Sequence, residues 1–422
     1  MSMTRRDSLR LAMVFAASMA VHGQIFPATA ANQVTKLSDS ELKSDAAIAW
    51  RYFANSTSRA SKGLVPAAIW PQDGGYGEYG ILTMWDVGSI ILAYVSARSI
   101  GLIDAKEFDE RITNVLAFIK RSEYRWGKQT LPNYRTNIGN GKPAEAGYDS
   151  TDTGRLLVAL HVLEKVTNGV YNVRKLIDHW DLPATIEDGQ IYDIKSGKKI
   201  KSESNNYIYY IARAHRLWDI KVATGDDTKL APDNAGSKRV FMAKVAATGA
   251  IATEPHVNEA IELGHSNESR LLAATLYAAQ QDRYAKTGHL TAVSEAPISA
   301  KPWFTYQGYK PFMEGWSKWP VDSAVTEKRW ATEAFADKHR MVNTKAAYMW
   351  LATHSDDYTK KLRQHVRAAA VSNDRGFMPG VYEASGKPPG ILDVNTNATV
   401  LQSVAFLLAG RQPLVNLNLQ PK

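Results

Sequence analysis

The chain has 422 residues, of which 45% are hydrophobic and 10% aromatic, so it can bury a large core and is not intrinsically disordered. Its formal net charge is +9, but the basic residues lie in short, dispersed clusters without interleaved aromatics, which excludes a nucleic-acid-binding module. The absence of cysteine excludes disulfides, thiolate metal sites and thiol nucleophiles.

The N-terminus has the features of an export signal. Residues 4–9 (TRRDSL) are typical of a twin-arginine signal, and they are followed by an apolar stretch over 11–20 and the small-residue site Ala28-Thr29-Ala30. The apolar stretch is too short for a permanent membrane span. We therefore expect residues 1–31 to be removed during export, which leaves 32–422 as a single domain in the periplasm or outside the cell. An uncleaved anchor is the alternative.

Six segments open with a short polar cap, usually Asn or Asp, and continue as helical runs rich in Ala, Gly, Leu and aromatics. Ser, Thr, Asp and Asn at a helix start satisfy unpaired backbone N–H groups. Runs as apolar as 89–95 (SIILAYV) do not suit a helix that faces water, so we expect these six helices to be buried. The starts lie at 85–88, 150–154, 204–207, 266–268, 343–345 and 395–398.

Six more polar, amphipathic segments alternate with the buried ones. They lie at 38–55, 104–120, 171–180, 237–247, 326–338 and 356–370. The alternation predicts an all-α fold, an (α/α)6 toroid of six outer and six inner helices with small β-hairpin insertions, one of them near 189–198. The long connections from outer to inner helices all reach inner-helix N-termini, so they meet at one mouth of the toroid, where we expect the site.

Acidic residues lie close to the predicted inner-helix starts. Several carboxylates beside aromatics suit glycoside hydrolysis, in which one carboxylic acid protonates the leaving oxygen and a carboxylate activates water or attacks the sugar. For Asp86 and Asp152, helix capping alone is an equal alternative. The candidate acids are Asp86, Asp149, Asp152, Glu203, Glu254 and Glu383.

Other chemistries have less support. The ten histidines are scattered without metal-ligand spacing and no Gly-x-Ser-x-Gly motif occurs, so we expect neither a metal nor a cofactor. Two alternatives stay open. One is a polysaccharide lyase that uses His265, Tyr207, Asn205 and Arg155. The other is a non-catalytic periplasmic glycan-binding protein of polysaccharide export.

Several blocks of sequence resemble the bacterial DUF3131 family, which is similar to the glycoamylase-like domains of β-1,2-glucanases and cyclic glucan synthases. The most specific blocks are 149–154 (DSTDTG) and 395–398 (NTNA), and the weaker ones lie at 84–88, 97–103, 133–135, 380–383 and 392–394. The resemblance covers about residues 45–410. It implies an (α/α)6 glycoside hydrolase, or a transglycosylase, that acts on a bacterial glucan or exopolysaccharide.

The resemblance also suggests roles for individual residues. An acid opens the third inner helix in similar proteins, usually before a Gly-Tyr pair, and this chain keeps Glu203 and Tyr207 without the glycine. Glu203 is thus the expected general acid, with Glu254 as the next candidate and Asp152 or Asp86 as the second carboxylate. The residues expected to contact sugar are Trp85, Tyr148, Asp149, Arg155, Glu254, Trp303, Tyr306, Glu383, Asn395 and Asn397.

Overall fold

The computed structural model describes residues 37–56, 64–202, 206–223, 230, 234–246, 249–309, 321–323, 328–330 and 332–419. Glu203, Asn205 and the predicted signal segment 1–31 lie outside these ranges. None of the helices in the described ranges is both long enough and apolar enough to cross a membrane.

Thirteen α-helices form within the described part of the chain. They are α1 (Asp39–Asn55), α2 (Met84–Ile100), α3 (Ala105–Arg121), α4 (Ser150–Val166), α5 (Val173–His179), α6 (Ile208–Arg216), α7 (Ala235–Ala246), α8 (His256–Leu263), α9 (Asn267–Thr287), α10 (Glu333–His339), α11 (Thr344–Thr353), α12 (Asp357–Ala369) and α13 (Val394–Leu408).

The helices fall into two classes by burial. Helices α2, α4, α11 and α13 are buried almost all round, whereas α1, α3 and α12 bury one apolar face and expose charged residues. Helix α2 packs between α4 and α13, α13 packs on α11, and α4 packs on α6. The one-faced helices cover this centre, with α1 on α13, α3 on α2 and α12 on α11.

The structure differs from the prediction at the fourth central helix. Ser266 does cap a helix, because its side chain accepts a hydrogen bond from the Ser269 backbone, but that helix, α9, is one-faced: Leu272 and Leu276 are buried while Arg270 is exposed. The central position belongs instead to the short helix α8, which is buried over nearly its whole length and contacts α4, α11 and α13. A polar cap marks where a helix begins, but it does not tell which layer the helix joins.

The strands are short and all described ones lie in connections that lead towards a central helix. Helix α2 is preceded by β1 (Ala68–Gln72), β2 (Gly75–Tyr79) and β3 (Ile81–Thr83), and α4 by β4 (Glu123–Trp126), β5 (Gln129–Pro132), β6 (Arg135–Asn137), β7 (Pro143–Glu145) and β8 (Gly147–Tyr148). Helix α6 follows β9 (Ile186–Glu187), β10 (Gln190–Lys195) and β11 (Lys198–Lys201). The remaining strands are β12 (Ala296–Pro297), β13 (Phe304–Gln307), β14 (Val321–Ser323) and β15 (Met341–Asn343) before α11, and β16 (Val371–Ser372), β17 (Gly376–Phe377), β18 (Gly380–Tyr382) and β19 (Leu392–Asp393) before α13.

Pairing between these strands joins connections that are distant in sequence. Strand β1 pairs with β19, β3 with β6, β8 with β10, and β15 with β18. Because each connection ends at the N-terminus of a central helix, the pairing brings these N-termini to one end of the helical core.

Candidate active site

The first carboxylate of the site belongs to a capping box at the start of α2. Asp86 accepts hydrogen bonds from the Thr83 backbone N–H at 2.9 Å and from the Thr83 hydroxyl at 3.2 Å. The side-chain amide of Asn395, at the start of α13, donates to the other oxygen of Asp86 at 2.8 Å. Burial raises the pKa of Asp86, and these three donors oppose that rise by stabilising the carboxylate.

The start of α4 supplies two more carboxylates. Asp149 is the N-cap, and it accepts from the backbone N–H groups of Thr151 and Asp152 at 2.9 and 3.1 Å. The half-buried carboxyl of Asp152 makes no hydrogen bond or ion pair to another described residue. Burial, followed by the charges of Asp149 and Asp86, raises the pKa of Asp152 well above its usual range.

A buried lysine joins two further acids. The ammonium group of Lys345, in the first turn of α11, contacts Glu254 directly and lies 3.8 Å from Glu295. The hydroxyl of Tyr207 donates to Glu295 at 2.9 Å, and that of Ser294 donates to Glu254 at 2.9 Å. Burial raises the pKa of Glu295 to about 7, although the charge of Lys345 opposes the rise.

These carboxyls form one electrostatic group, which we call the acid cluster. Asp86 and Glu295 each contribute to the raised pKa of Asp152, and Asp86 contributes to that of Asp393, the N-cap of α13. The negative charges of Glu254, Glu295 and Asp393 raise the pKa of Lys345. The members of the acid cluster are Asp86, Asp149, Asp152, Glu254, Glu295 and Asp393.

Two predicted aromatic residues are exposed, and one of them, Tyr306, lies near the acid cluster. Trp303 and Tyr306 are 57% and 41% exposed, and Tyr306 lies on β13. Partial burial, followed by the charges of Glu295 and Asp152, raises the pKa of the Tyr306 hydroxyl, so that hydroxyl lies within electrostatic range of the acids. Exposed aromatic rings beside carboxyl groups are well suited to the apolar C–H faces of a sugar.

Three other residues that were predicted to contact sugar are buried in the helical core. Arg155 is fully buried, contacts Glu262, and donates to the Tyr210 hydroxyl at 3.0 Å. The ring of Trp85 is 5% exposed, and the Arg155 guanidinium lies 5.3 Å from its centre. The hydroxyl of Tyr148 is also inside the protein, 3.5 Å from the nearest ring nitrogen of His215. These side chains hold the central helices together.

The remaining predicted binding residues are engaged by the protein. Asn397 exchanges two hydrogen bonds with the backbone of Phe377, at 2.8 and 2.9 Å. Glu383 accepts from Arg283 at 2.7 Å, on the side of the protein formed by α9. Asn395 alone among these three donates to a carboxyl group of the acid cluster, that of Asp86, while the Asn397 amide donates to the backbone carbonyl of Asp393 at 3.0 Å.

The structure adds Glu295 and Lys345, which the sequence analysis missed. Glu295 lies in a long connection before a central helix, so the rule that identified the other acids also applies to it. A lysine in the first turn of a helix opposes the helix dipole, which is a signal that Lys345 has an anionic partner.

The arrangement suits proton transfer. It combines a carboxyl group with no partner in the described ranges (Asp152), a carboxylate held by three donors (Asp86) and a lysine that limits the net charge (Lys345). In the part of the chain that the structure describes, no group of three or more His, Asp or Glu side chains is placed to bind a metal ion.

The fold is similar to those of several solved glucan-related proteins. An endo-β-1,2-glucanase from Chitinophaga pinensis matches with a TM-score of 0.60 at 10% identity, over 90% of this chain and 94% of that one. An endo-β-1,2-glucanase from Talaromyces funiculosus matches with a TM-score of 0.56 at 8% identity, over 90% and 87%. An inferred glucoamylase from Bacteroides fragilis NCTC 9343 matches with a TM-score of 0.61 at 13% identity, over 92% and 97%. At these identities the similarity concerns the fold.

No curated protein matches the chain. A family model described as "Protein of unknown function (DUF3131)" matches residues 44–410, which is most of the chain. The chain therefore belongs to the DUF3131 family, as its sequence blocks predicted.

Proposed function

We propose that this protein is an exported glycoside hydrolase that cleaves a bacterial glucan or exopolysaccharide by carboxylate acid/base catalysis. The single observation that supports this most is the carboxyl group of Asp152, which is half-buried, has no hydrogen-bond or ion-pair partner among the described residues, and has a raised pKa beside other carboxyls. Glycoside hydrolysis requires a carboxylic acid that stays protonated near neutral pH next to a second, ionised carboxylate.

The proposed roles follow from the surroundings of each carboxyl. Asp152 donates its proton to the glycosidic oxygen as the bond to the anomeric carbon breaks. Asp86, whose ionised form is stabilised by Thr83 and Asn395, accepts a proton from the water that attacks that carbon. The exposed rings of Trp303 and Tyr306 stack on sugar rings of the bound glucan.

The fold supports a glucan as the substrate. We propose that the central helices close into the inner ring of an (α/α)6 toroid, with α2, α4, α6, α8, α11 and α13 inside and the acid cluster at the mouth. The packing of α13, α2, α4 and α6 in succession is consistent with such a ring. Because the similar folds include endo-β-1,2-glucanases, a β-1,2-linked glucan is the first polymer to test. The signal-like N-terminus favours a periplasmic or secreted protein.

Incubation with purified glucans and exopolysaccharides, β-1,2-glucan included, tests the activity. Mass spectrometry is expected to find saturated oligosaccharides, each heavier by one water than the corresponding internal fragment. Unsaturated products that absorb ultraviolet light would identify a lyase instead. Binding to a polymer without any product would identify a glycan-binding protein.

Substitution of the two carboxyls tests their roles. Neither D152N nor D86N changes an N-cap, because Asp149 and Thr83 hold those positions, and each keeps a side-chain oxygen that can accept a hydrogen bond. D104N at the N-cap of α3 is a control for the Asp-to-Asn change, because Asn caps a helix as well as Asp does. On a polysaccharide, both variants should lose about 10²–10⁴-fold in kcat/KM. On an aryl glycoside whose dinitrophenolate leaves without protonation, D152N should recover most of its activity and D86N should not. Equal losses of both variants on both substrates would contradict the assignment.

A further inference from the structure

Two aromatic side chains are exposed together on the β1–β2 hairpin. Trp70 is 38% exposed and Tyr79 is 43% exposed. In the antiparallel register, Trp70 faces Gly77 and Ala68 faces Tyr79, so both aromatic residues lie on the same face of the hairpin as diagonal neighbours. Diagonal neighbours lie about 7–8 Å apart, within reach of large rings. We call Trp70 and Tyr79 the aromatic platform.

The opposite face of the hairpin is fixed to the body of the protein. Ile69 is buried, and the hydroxyl of Tyr76 donates to Asp374 at 2.9 Å. The guanidinium of Arg375 lies over the Tyr76 ring, 4.5 Å from its centre. The hairpin thus holds the aromatic platform in a defined position, with the platform directed to solvent.

Gly77 is needed for the position of the Trp70 ring. A Cβ atom added at Gly77 would lie 2.5 Å from both Nε1 and Cε2 of Trp70, which is far closer than any normal contact. The φ angle of Gly77 is not in the left-handed region, so alanine there would displace the indole without straining the backbone. The indole therefore rests directly on the hairpin backbone.

The backbone of the β1–β2 hairpin is linked to the backbone segments that carry the acid cluster. Ala68 on β1 pairs with Asp393, and the chain that leaves β2 continues through β3 to Thr83, the residue that caps α2 and binds Asp86. The polar side chains of Gln72 and Asp73 are exposed at the tip of the same hairpin. Exposed rings with polar groups at their edge are the features with which proteins bind sugar rings.

We propose that Trp70 and Tyr79 form a remote glycan-binding subsite, which holds a segment of the same β-linked glucan chain whose bond is cleaved at the acid cluster. The identity of this ligand rests on the proposed function. A subsite that lies apart from the catalytic carboxyls contributes binding energy only when the bound glucan is long enough to reach both places. The aromatic platform therefore makes the protein selective for polymeric over short glucans.

Affinity electrophoresis in gels that contain linear β-1,2-glucan tests the subsite without turnover, because it is done in the D152N background. W70A and G77A should each weaken retardation by the glucan about tenfold, which corresponds to about 1.4 kcal/mol, and Y79A should weaken it several-fold. G139A is the matched control, because an added Cβ there meets only an asparagine side-chain oxygen at 3.4 Å. Unchanged retardation of W70A and G77A, or no retardation of the parent protein, would overturn the proposal.

Hydrolysis by the otherwise native protein separates this proposal from the proposed function. For W70A, the ratio of kcat/KM on β-1,2-glucan to kcat/KM on sophorotriose should fall about tenfold, whereas G139A should keep the native ratio. An equal loss on both substrates would place Trp70 in the catalytic cleft and overturn the remote subsite. If no glycan is cleaved but W70A still weakens binding to the gel-bound glucan, the subsite stands and the hydrolase assignment fails.

Discussion

Replacement of Glu295 by glutamine should make the protein more stable at alkaline pH. The pKa of this carboxyl rises from its ordinary value of 4.5 to about 7 in the folded protein, so the folded state binds the proton more tightly than the unfolded state. The stability that the bound proton contributes is complete below pH 4.5 and is lost as the pH rises to about 7. At about 1.4 kcal/mol per pH unit, a separation of roughly 2.5 units corresponds to about 3 kcal/mol.

Glutamine imitates the protonated carboxyl and keeps an oxygen that can accept from Tyr207. E295Q therefore removes the free-energy cost of ionising this buried carboxyl. The resulting gain in stability should be absent below pH 4.5 and complete above about pH 7.

Thermal unfolding of the native protein and E295Q at pH 4 and pH 8.5 measures this effect. The two proteins should unfold at nearly the same temperature at pH 4, and E295Q should unfold several degrees higher at pH 8.5. E110Q, which changes an exposed glutamate on α3, controls for the substitution itself and should match the native protein at both values. A difference that is the same at both pH values, or an E295Q protein that is less stable at pH 8.5, would refute the reasoning.

Three further substitutions test other parts of the structure. K345M removes the cation that opposes the raised pKa of Glu295, so the gain in stability from E295Q should begin near pH 4.5 as before but continue to a higher pH when both proteins carry K345M. Thermal unfolding measured against pH gives the upper end of this range. R155M leaves the fully buried Glu262 without its cation, so it should lower the free energy of unfolding, measured by denaturant titration, by about 3–5 kcal/mol. The double variant R155M/E262L removes the unpaired carboxylate as well and should recover most of that loss. G88A places a Cβ 2.9 Å from the Arg155 carbonyl oxygen where α2 and α4 pack, and should cost about 1–3 kcal/mol by the same measurement.

The starts of α2, α4, α11 and α13 could be predicted because their signal is local, whereas α8 begins without a side-chain cap and was missed. Thr83 and Asp86 form a capping box, and Asp149 caps α4 within three residues of Asp152. Such contacts depend on residues close in sequence, and the same is true of the apolar runs that follow them. Polar caps before buried helices therefore located the N-termini of these helices and three members of the acid cluster, Asp86, Asp149 and Asp152.

The partners of buried polar side chains could not be predicted, because they are distant in sequence. Arg155 is near the start of α4 and was predicted to bind sugar, but its carboxylate partner, Glu262, is 107 residues away on α8. Lys345 meets Glu254 only because α11 and the connection before α8 pack side by side. Composition and spacing show which side chains can ionise, but only the packing decides which of them face each other.

The charge balance of the acid cluster explains why the pKa values of several of its carboxyls are raised. The helix N-termini next to Asp86, Asp152 and Asp393 each stabilise a negative charge by about 0.3–1 kcal/mol, or by up to ~2 kcal/mol where partly buried. Two unit charges about 4 Å apart repel by about 4 kcal/mol in a partly buried setting, which exceeds what one helix end provides. Lys345 offsets only one negative charge, so ionising every carboxyl is unfavourable, and the proposed general acid would draw its proton from this cluster. That property depends on the cluster as a whole, so removing any one carboxyl should make the others easier to ionise and lower the pH at which the donated proton is lost.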